Sequence, residues 1–131
     1  MPPISRYMTR QPWTIRRDAP LSTAKEMMRE HQIRHLPVLD GGNLVGMVSE
    51  RDILQLERFQ HLGDQFSVED AMNEDVYTVD FNDAADAVVE AMAEHKYGSV
   101  VVRNRRNQIE GIFTTVDAMQ VLAEVLRQVA A

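Results

Sequence analysis

Two short stretches of the chain, GMVSERD at residues 46–52 and GIFTTVD at residues 111–117, carry a glycine, a hydroxyl and an aspartate at the same spacing. A hydroxyl followed three residues later by a carboxylate, just before an apolar helix, is the pattern of a capping box. Both side chains of such a box bind free backbone N–H groups. Ser49 with Asp52 fits this pattern in the first stretch. On this interpretation the residues only begin a helix.

The same residue types also suit a ligand site. A glycine three residues before the hydroxyl, Gly46 or Gly111, lets another group approach the strand backbone closely. The start of a helix presents free N–H groups at its positive end, which favours anions. An ionised carboxylate there, such as Asp52 or Asp117, can accept hydrogen bonds from both hydroxyls of a vicinal diol such as ribose. Thr114 with Asp117 repeats the set and favours the ligand interpretation, although duplication copies structural features too.

The two stretches belong to a longer internal repeat, in which residues 8–54 align with residues 72–119. The matched pairs include Met8 with Met72, Thr14 with Thr78, Glu26 with Glu90, His31 with His95, Gly46 with Gly111 and Asp52 with Asp117. Two copies are too few for a solenoid. They suit a pair of halves related by a pseudo-twofold axis, each covering the apolar face of the other.

Each copy predicts the element order β-α-β-β-α. PWTIR and VYTVD are short segments with β-branched residues that are typical of strands. HLPVLD and SVVVR are predicted as buried strands, which turn through GGN and NRRN into a further strand. Asp18 and Asn82 are the predicted N-caps of the first helix in each copy, with Pro20 in the first turn.

Apolar residues at helical spacing indicate one buried face on each of these first helices. They are Leu21, Ala24 and Met28 in the first copy, and Ala84, Val88 and Ala91 or Met92 in the second. Closing helices are predicted from about Glu50 to Leu62 and from Thr115 to Val129. A boundary near Gly63, Asp64 and Gln65 divides the chain into repeats at residues 1–63 and 64–131.

Composition excludes several function classes. The chain of 131 residues has no cysteine, so neither a disulfide framework nor a thiolate metal site can form. Its net charge of −6 argues against general nucleic-acid binding, which needs a basic face. No apolar run approaches the roughly 18 residues of a membrane span, and the start lacks the apolar core of a signal peptide. We expect a small acidic protein of the cytoplasm.

The sequence shows no catalytic or metal-binding arrangement. It has no Gly-x-Ser-x-Gly elbow, no Walker loop and no CxxC pair. His31 and His95 recur at predicted helix ends, where a polar residue near the negative end of the helix is a simpler interpretation than a metal ligand. We therefore expect no enzymatic activity, no metal and no catalytic cofactor.

The pattern Gly-hydrophobic-x-[Ser/Thr]-x-x-Asp after a hydrophobic-Pro-Val strand, present in tandem, resembles the cystathionine β-synthase (CBS) domain family. The resemblance runs from about Tyr7 to Leu126, and MTRQPWTI, RHLPVLDGGNLVGMVSERD and GSVVVRNRRNQIEGIFTTVD carry it. It implies an α/β fold of two intertwined β-α-β-β-α repeats, often called a Bateman module, with two clefts between the halves. It also implies regulation through adenosine-containing ligands.

The resemblance assigns roles to particular residues. Asp52 and Asp117 would hold ribose hydroxyls, and Ser49 and Thr114 would touch phosphate or ribose beside Gly46 and Gly111. Further residues would line the adenine pockets: Thr14, Ile15, His35, Leu36, Pro37, Thr78, Val79, Ser99, Val100 and Val101. Ordinary strand core is the alternative interpretation of the apolar ones. The ligand is left open among AMP, ADP, ATP, NAD and S-adenosylmethionine.

The two copies differ in charge near the motif. Copy one offers three cationic or titratable side chains that can neutralise phosphate, namely Arg34, His35 and Arg51. Copy two has Gly98, Ser99 and Val116 at the equivalent positions. We therefore expect the first motif to be the better phosphate site.

The preferred function is a regulatory, energy-sensing module that acts on an unidentified partner protein, without nucleic acid or membrane. One alternative is a structural dimerisation module whose clefts stay empty. Another is part of an enzyme such as an inosine monophosphate dehydrogenase. The last helix carries an apolar stripe of Val121, Leu122, Val125, Leu126 and Val129, which predicts a homodimer through this helix.

Overall fold

The computed structural model describes residues 1–59 and 65–130. Its Cα atoms divide into two compact units. One is Trp13–Val76, here called the first unit. The other, the second unit, combines Met1–Pro12 with Tyr77–Ala131. The predicted boundary at residues 63 and 64 and the predicted helix end at Leu62 lie outside the described residues.

The elements of the described residues confirm the predicted mixed α/β fold. The strands are β1 (Thr9–Arg10), β2 (Ile15–Arg16), β3 (His35–Asp40), β4 (Asn43–Ser49), β5 (Thr78–Asp80), β6 (Ser99–Arg103) and β7 (Ile109–Thr114). The α-helices are α1 (Leu21–His31), α2 (Glu50–Phe59), α3 (Val68–Ala71), α4 (Ala85–His95) and α5 (Thr115–Ala130), and a 3₁₀ helix spans Ile4–Arg6. The β-α-β-β-α order is present in each unit.

In the first unit, a three-stranded sheet has the order β2-β3-β4. Strand β2 runs parallel to β3, and β3 is antiparallel to β4. The hairpin turns through Gly41 and Gly42, whose φ angles of 56° and 85° favour glycine. The core forms between the sheet and α1–α3, and its fully buried side chains include Ala24, Leu36 and Val38.

The second unit has a four-stranded sheet with the order β1-β7-β6-β5. Strand β1, which sequence analysis did not predict, pairs antiparallel with β7 through Thr9 and Arg10. The core includes Ile4, Val88 and Phe113. The N-terminal residues of the chain therefore complete the core that is built by the second repeat.

The predicted N-caps Asp18 and Asn82 are wrong. Helices α1 and α4 begin after Pro20 and Ala84, which have extended backbones and make no capping side-chain bond. The first helical N–H groups instead donate to carbonyls of neighbouring segments: Leu21 N to Phe66 O at 3.1 Å and Ala85 N to Pro2 O at 2.9 Å. The side chain of Asp18 pairs with Arg16.

The predicted buried faces are confirmed for most positions. Leu21, Ala24 and Met28 are buried in α1, and Val88 and Met92 are buried in α4. Ala85 is buried in place of the predicted Ala84. In α5, Val121 packs partly against the second core and so does not belong to the exposed stripe. None of the helices in the described residues is long and apolar enough to span a membrane.

Candidate functional site

The junction between β4 and α2 contains the predicted capping box. The Ser49 N–H donates to Asp52 Oδ2 at 2.9 Å, and the Asp52 N–H donates to Ser49 Oγ at 3.1 Å. Both residues are half-buried. The structural interpretation of GMVSERD is therefore confirmed.

The junction between β7 and α5 repeats this geometry. The Thr114 N–H donates to Asp117 Oδ2 at 2.9 Å, and the Asp117 N–H donates to Thr114 Oγ1 at 3.4 Å. Among the hydrogen bonds between described residues, each carboxylate uses only Oδ2. Its Oδ1 can therefore accept a bond from a further donor, so a cap and a ligand contact are compatible in one side chain.

The glycine of each motif is required by the packing of the chain itself. A Cβ at Gly46 would lie 2.6 Å from Met72 Sδ and 3.0 Å from the Asn73 carbonyl oxygen. A Cβ at Gly111 would lie 2.6 Å from Met8 Sδ and 2.7 Å from the Thr9 carbonyl oxygen. The close approach predicted from these glycines is real, but the approaching group is protein. A ligand contact at either glycine stays a prediction.

The start of β3 lies beside the first motif. His35 is paired with Ser49 across the two strands, and the Glu50 N–H donates to the Arg34 carbonyl at 2.9 Å. These contacts place the backbone of Arg34 and His35 beside Ser49 and the start of α2, and the predicted ligand contacts of these residues stay a prediction.

The second unit preserves the backbone of this arrangement without its charges. Ser99 is paired with Thr114, and the Thr115 N–H donates to the Gly98 carbonyl at 3.1 Å. Gly98 and Ser99 thus occupy the positions that match Arg34 and His35, at and just before the start of the strand, but carry neither a cation nor an imidazole.

Burial lowers the pKa of His35 below its ordinary value. The carboxylate of Asp52 raises that pKa and the guanidinium of Arg34 lowers it again, but loss of solvent is the largest cause. The imidazole is therefore neutral at pH 7, and it is half-buried near the Asp52 side chain.

The remaining predicted residues divide between the core and the surface. Side chains of Ile15, Leu36 and Val100 belong to the hydrophobic cores, so only their backbones can face a ligand. Pro37 and Val101 are buried outside those clusters. Three residues are only half-buried or exposed: Thr14, Thr78 and Val79.

Arg51 is the third side chain that the sequence predicted near the first phosphate site. Its side chain is exposed on α2, where it lines a shallow groove with Leu54, Gln55, Glu57 and Arg58. Its contact with phosphate stays a prediction.

A concave region that sequence analysis missed lies at the opposite end of the first sheet. It is lined by Arg16, Arg17, Asp18, Leu39, Asp40, Gly41, Gly42 and Glu69. The Arg17 guanidinium binds Glu69 Oε2 at 2.7 Å and Asp40 Oδ2 at 3.3 Å, so carboxylates already neutralise it. The sequence did not predict this cluster, because Arg17, Asp40 and Glu69 lie far apart in the chain and form no local motif.

The two repeated histidines stack on aromatic rings. His31 lies on Trp13 with ring centroids 3.8 Å apart and an angle of 11° between the planes, and His95 lies 5.3 Å from Tyr97. No group of three or more potential metal ligands occurs in residues 1–59 and 65–130.

Two proteins similar to this chain differ in how much of their own length the similarity covers. A homoserine O-acetyltransferase from Methanocorpusculum labreanum is 31% identical over 125 residues, which cover 95% of this chain but 24% of the relative. This chain spans only about a quarter of that enzyme. The crystal structure of a candidate acetoin utilization protein (AcuB) from Vibrio cholerae has 29% identity and a TM-score of 0.87, covering 100% of this chain and 98% of that one.

The fold also matches a crystal structure that is described as a CBS domain pair. The pair from protein MJ0100, crystallised with 5′-methylthioadenosine and S-adenosyl-L-methionine, has a TM-score of 0.83 at 24% identity and covers 93% of this chain and 96% of that one. The family model for the CBS domain matches residues 4–58 and again residues 68–124. The chain therefore belongs to the CBS domain family and contains two copies of the domain.

Proposed function

We propose that the chain is a regulatory module that binds an adenosine-containing ligand at the Ser49–Asp52 and Thr114–Asp117 motifs. The observation that carries the proposal is the position and hydrogen bonding of the two aspartates, Asp52 and Asp117. Each is half-buried at a strand-to-helix junction, and its cap uses only Oδ2 among the described residues. A ribose diol can donate to the other carboxylate oxygen.

The choice of an adenosine derivative follows the chemistry of a protein with the same fold. The MJ0100 pair was crystallised with two adenosine derivatives, 5′-methylthioadenosine and S-adenosyl-L-methionine. Both contain the ribose diol that the aspartates could bind. For this chain we extend the proposal to AMP, ADP, ATP and NAD, because Arg34 and His35 stand beside the first motif.

The ligand would act through a partner. A ligand shifts an equilibrium only by its differential affinity for two states, so the module must contact the regulated protein differently when loaded. The 24% coverage of the acetyltransferase indicates that similar segments also occur within longer enzymes. We place this module in the cytoplasm as a sensor of adenine-nucleotide state, acting on a catalytic domain or a separate protein.

A second proposal, compatible with the first, is homodimerisation through α5. No residue of this helix is buried, and Met119, Leu122, Leu126 and Val129 are between 47% and 78% exposed. Their alternating spacing of three and four residues is that of a coiled-coil seam. A second copy offers the same seam, as a closed twofold dimer requires.

A ligand panel tests the regulatory proposal. Thermal unfolding would be followed with AMP, ADP, ATP, NAD, S-adenosylmethionine and adenosine, with guanosine monophosphate as the base control. A ligand at about 100 times its Kd should stabilise the fold by roughly 2.7 kcal/mol, which raises Tm by several degrees. An unchanged Tm across the panel, with calorimetry also showing no heat of binding, would contradict the proposal and favour the structural alternative.

A further inference from the structure

One titratable side chain distinguishes the first motif from the second. His35 begins β3, is paired with Ser49 of β4, and lies close enough to Asp52 for the carboxylate to act on its charge. Arg34 precedes it in the chain and accepts the Glu50 N–H through its carbonyl. The imidazole is thus placed where the strand end meets the first turn of α2.

The second motif is a natural control for this histidine. Ser99 holds the matching place in β6, paired with Thr114. Both junctions have the same carboxylate cap at 2.9 Å. A serine cannot gain a positive charge, so any response that depends on the imidazole should be confined to the first motif.

We propose that His35 couples ligand binding to proton uptake, so that a phosphate-bearing adenosine ligand binds the first motif more tightly as pH falls. The second motif should not share this response. The inference rests on the proposed function and adds its regulation. The charged groups that act on His35 are Asp52 from α2 and Arg34, which immediately precedes β3.

The direction follows from charge. Without ligand, burial lowers the pKa of His35 and the imidazole is neutral at pH 7. An anionic phosphate beside the ring favours the imidazolium, so binding takes up protons from solvent, at most one for each occupied first motif. Affinity then increases as the pH falls from about 8 towards 6, by up to about tenfold for each unit by which the ligand raises the pKa of His35.

Calorimetry can measure this proton directly. NAD is a suitable probe, because its diphosphate stays ionised over this range, whereas the phosphate of AMP titrates near about pH 6. Adenosine lacks the phosphate. Titrations near pH 7 in two buffers with different ionisation enthalpies would give the protons taken up with NAD, with AMP and with adenosine. Affinities at about pH 6 and 8 would accompany them.

Two variants make the test specific. His35→Gln keeps a polar side chain but cannot ionise, and Ser99→His places an imidazole at the matching position of the second motif. We expect His35→Gln to abolish proton uptake and flatten the pH dependence of NAD affinity, and Ser99→His to add a second pH-dependent site. Adenosine should bind without proton uptake in every variant.

The outcomes separate this inference from the proposed function. Binding of NAD with no proton uptake, or with the same uptake in His35→Gln, would overturn the inference and leave the regulatory proposal standing. Binding of adenosine alone would do the same, because no phosphate would then lie near His35. Absence of binding by all three probes and by the other ligands of the thermal panel would overturn both.

Discussion

The two strand-to-helix junctions share their backbone bonds and differ in their side chains. In each junction the aspartate Oδ2 accepts the backbone N–H of the serine or threonine three residues earlier, at 2.9 Å. The first helical N–H, of Glu50 or Thr115, donates to the carbonyl just before β3 or β6, at 2.9 and 3.1 Å. The residues aligned with Arg34 and His35 are nevertheless Gly98 and Ser99. The capped backbone is what both folds need. The charges around it are free to differ because no core contact depends on them.

The closing helices differ in the same pair of units. Helix α2 buries Ile53 in the first core, whereas α5 of the second unit has no buried residue and exposes several large apolar side chains. An amphipathic helix gains most of its stability from packing. The exposed apolar face of α5 supports the proposal that this helix forms the dimer interface.

The largest expected effect is on assembly. Leu122→Asp combined with Leu126→Asp removes two apolar side chains from the proposed seam, and twofold symmetry doubles the loss. Leu122 and Leu126 are 47% and 57% exposed, so burial in the dimer contributes about half of the roughly 1.5–3 kcal/mol for a whole leucine. With four such side chains in the dimer, the Kd should rise by at least about 100-fold. Light scattering at roughly tens of micromolar protein should show a dimer for the wild type and a monomer for the variant.

A matched substitution on another helix controls for surface charge. Val89→Asp on α4 also replaces an exposed apolar residue, 39% accessible, and should leave the dimer intact. A wild-type monomer at the same concentration, or equal disruption by Val89→Asp, would contradict an interface at α5.

The next effect compares the two glycines. Gly46→Ala and Gly111→Ala both force a methyl group against a methionine sulfur at 2.6 Å. Sulfur can move, but the backbone oxygen behind it cannot, and that oxygen is closer at Gly111 (2.7 Å) than at Gly46 (3.0 Å). We expect losses of about 1–3 kcal/mol in the free energy of unfolding, larger for Gly111→Ala.

Gly41→Asn is the control for this comparison. A Cβ added at Gly41 would have no neighbouring atom within 4 Å, and the φ of 56° is one that asparagine tolerates better than most residues. Denaturant unfolding of the three variants should leave Gly41→Asn near the wild type. A Gly111→Ala variant as stable as the wild type would mean that β1 can move away from β7 at little cost.

The aspartates test whether the motif does more than cap. Asp52→Ala and Asp117→Ala should each lose about 0.5–2 kcal/mol of stability. Each should also weaken its own ligand site by roughly 10- to 150-fold, through loss of charged hydrogen bonds to ribose. Asp70→Ala is the matched control, because Asp70 Oδ2 accepts the Ser67 N–H at 2.9 Å in the same manner but outside the two motifs.

Calorimetry after circular dichroism separates the two roles. Loss of one site of two in Asp52→Ala, with unchanged binding in Asp70→Ala, is the expected result. If Asp52→Ala melts earlier but keeps the affinity and stoichiometry of the wild type, the aspartate is only a cap and the regulatory proposal loses its main support.

Features encoded over a few residues were predictable from the sequence. The capping boxes need only Ser49 and Asp52, or their equivalents, at the right spacing, and the helical faces follow from a regular apolar repeat. The N-caps were wrong because the Leu21 N–H is satisfied by the distant Phe66 carbonyl. Strand β1 was missed for a similar reason. Thr9 and Arg10 are too short a segment to show the alternating pattern of a strand. They are extended because they pair with β7, about 100 residues later in the chain.

The smallest expected effect concerns pH and uses only the unliganded protein. Since burial lowers the pKa of His35 in the folded chain, the unfolded chain binds more protons as the pH falls below the ordinary value of 6.5. The wild type should therefore lose stability on acidification through this range, with a slope from His35 of at most about 1.4 kcal/mol per pH unit. His35→Gln should lose less, and the difference between the two proteins cancels the contributions of the other ionisable groups. Urea unfolding between about pH 5 and 8 would measure that difference. Parallel pH profiles would show that the imidazole is solvated in the folded chain, which would also remove the electrostatic contrast between His35 and Ser99.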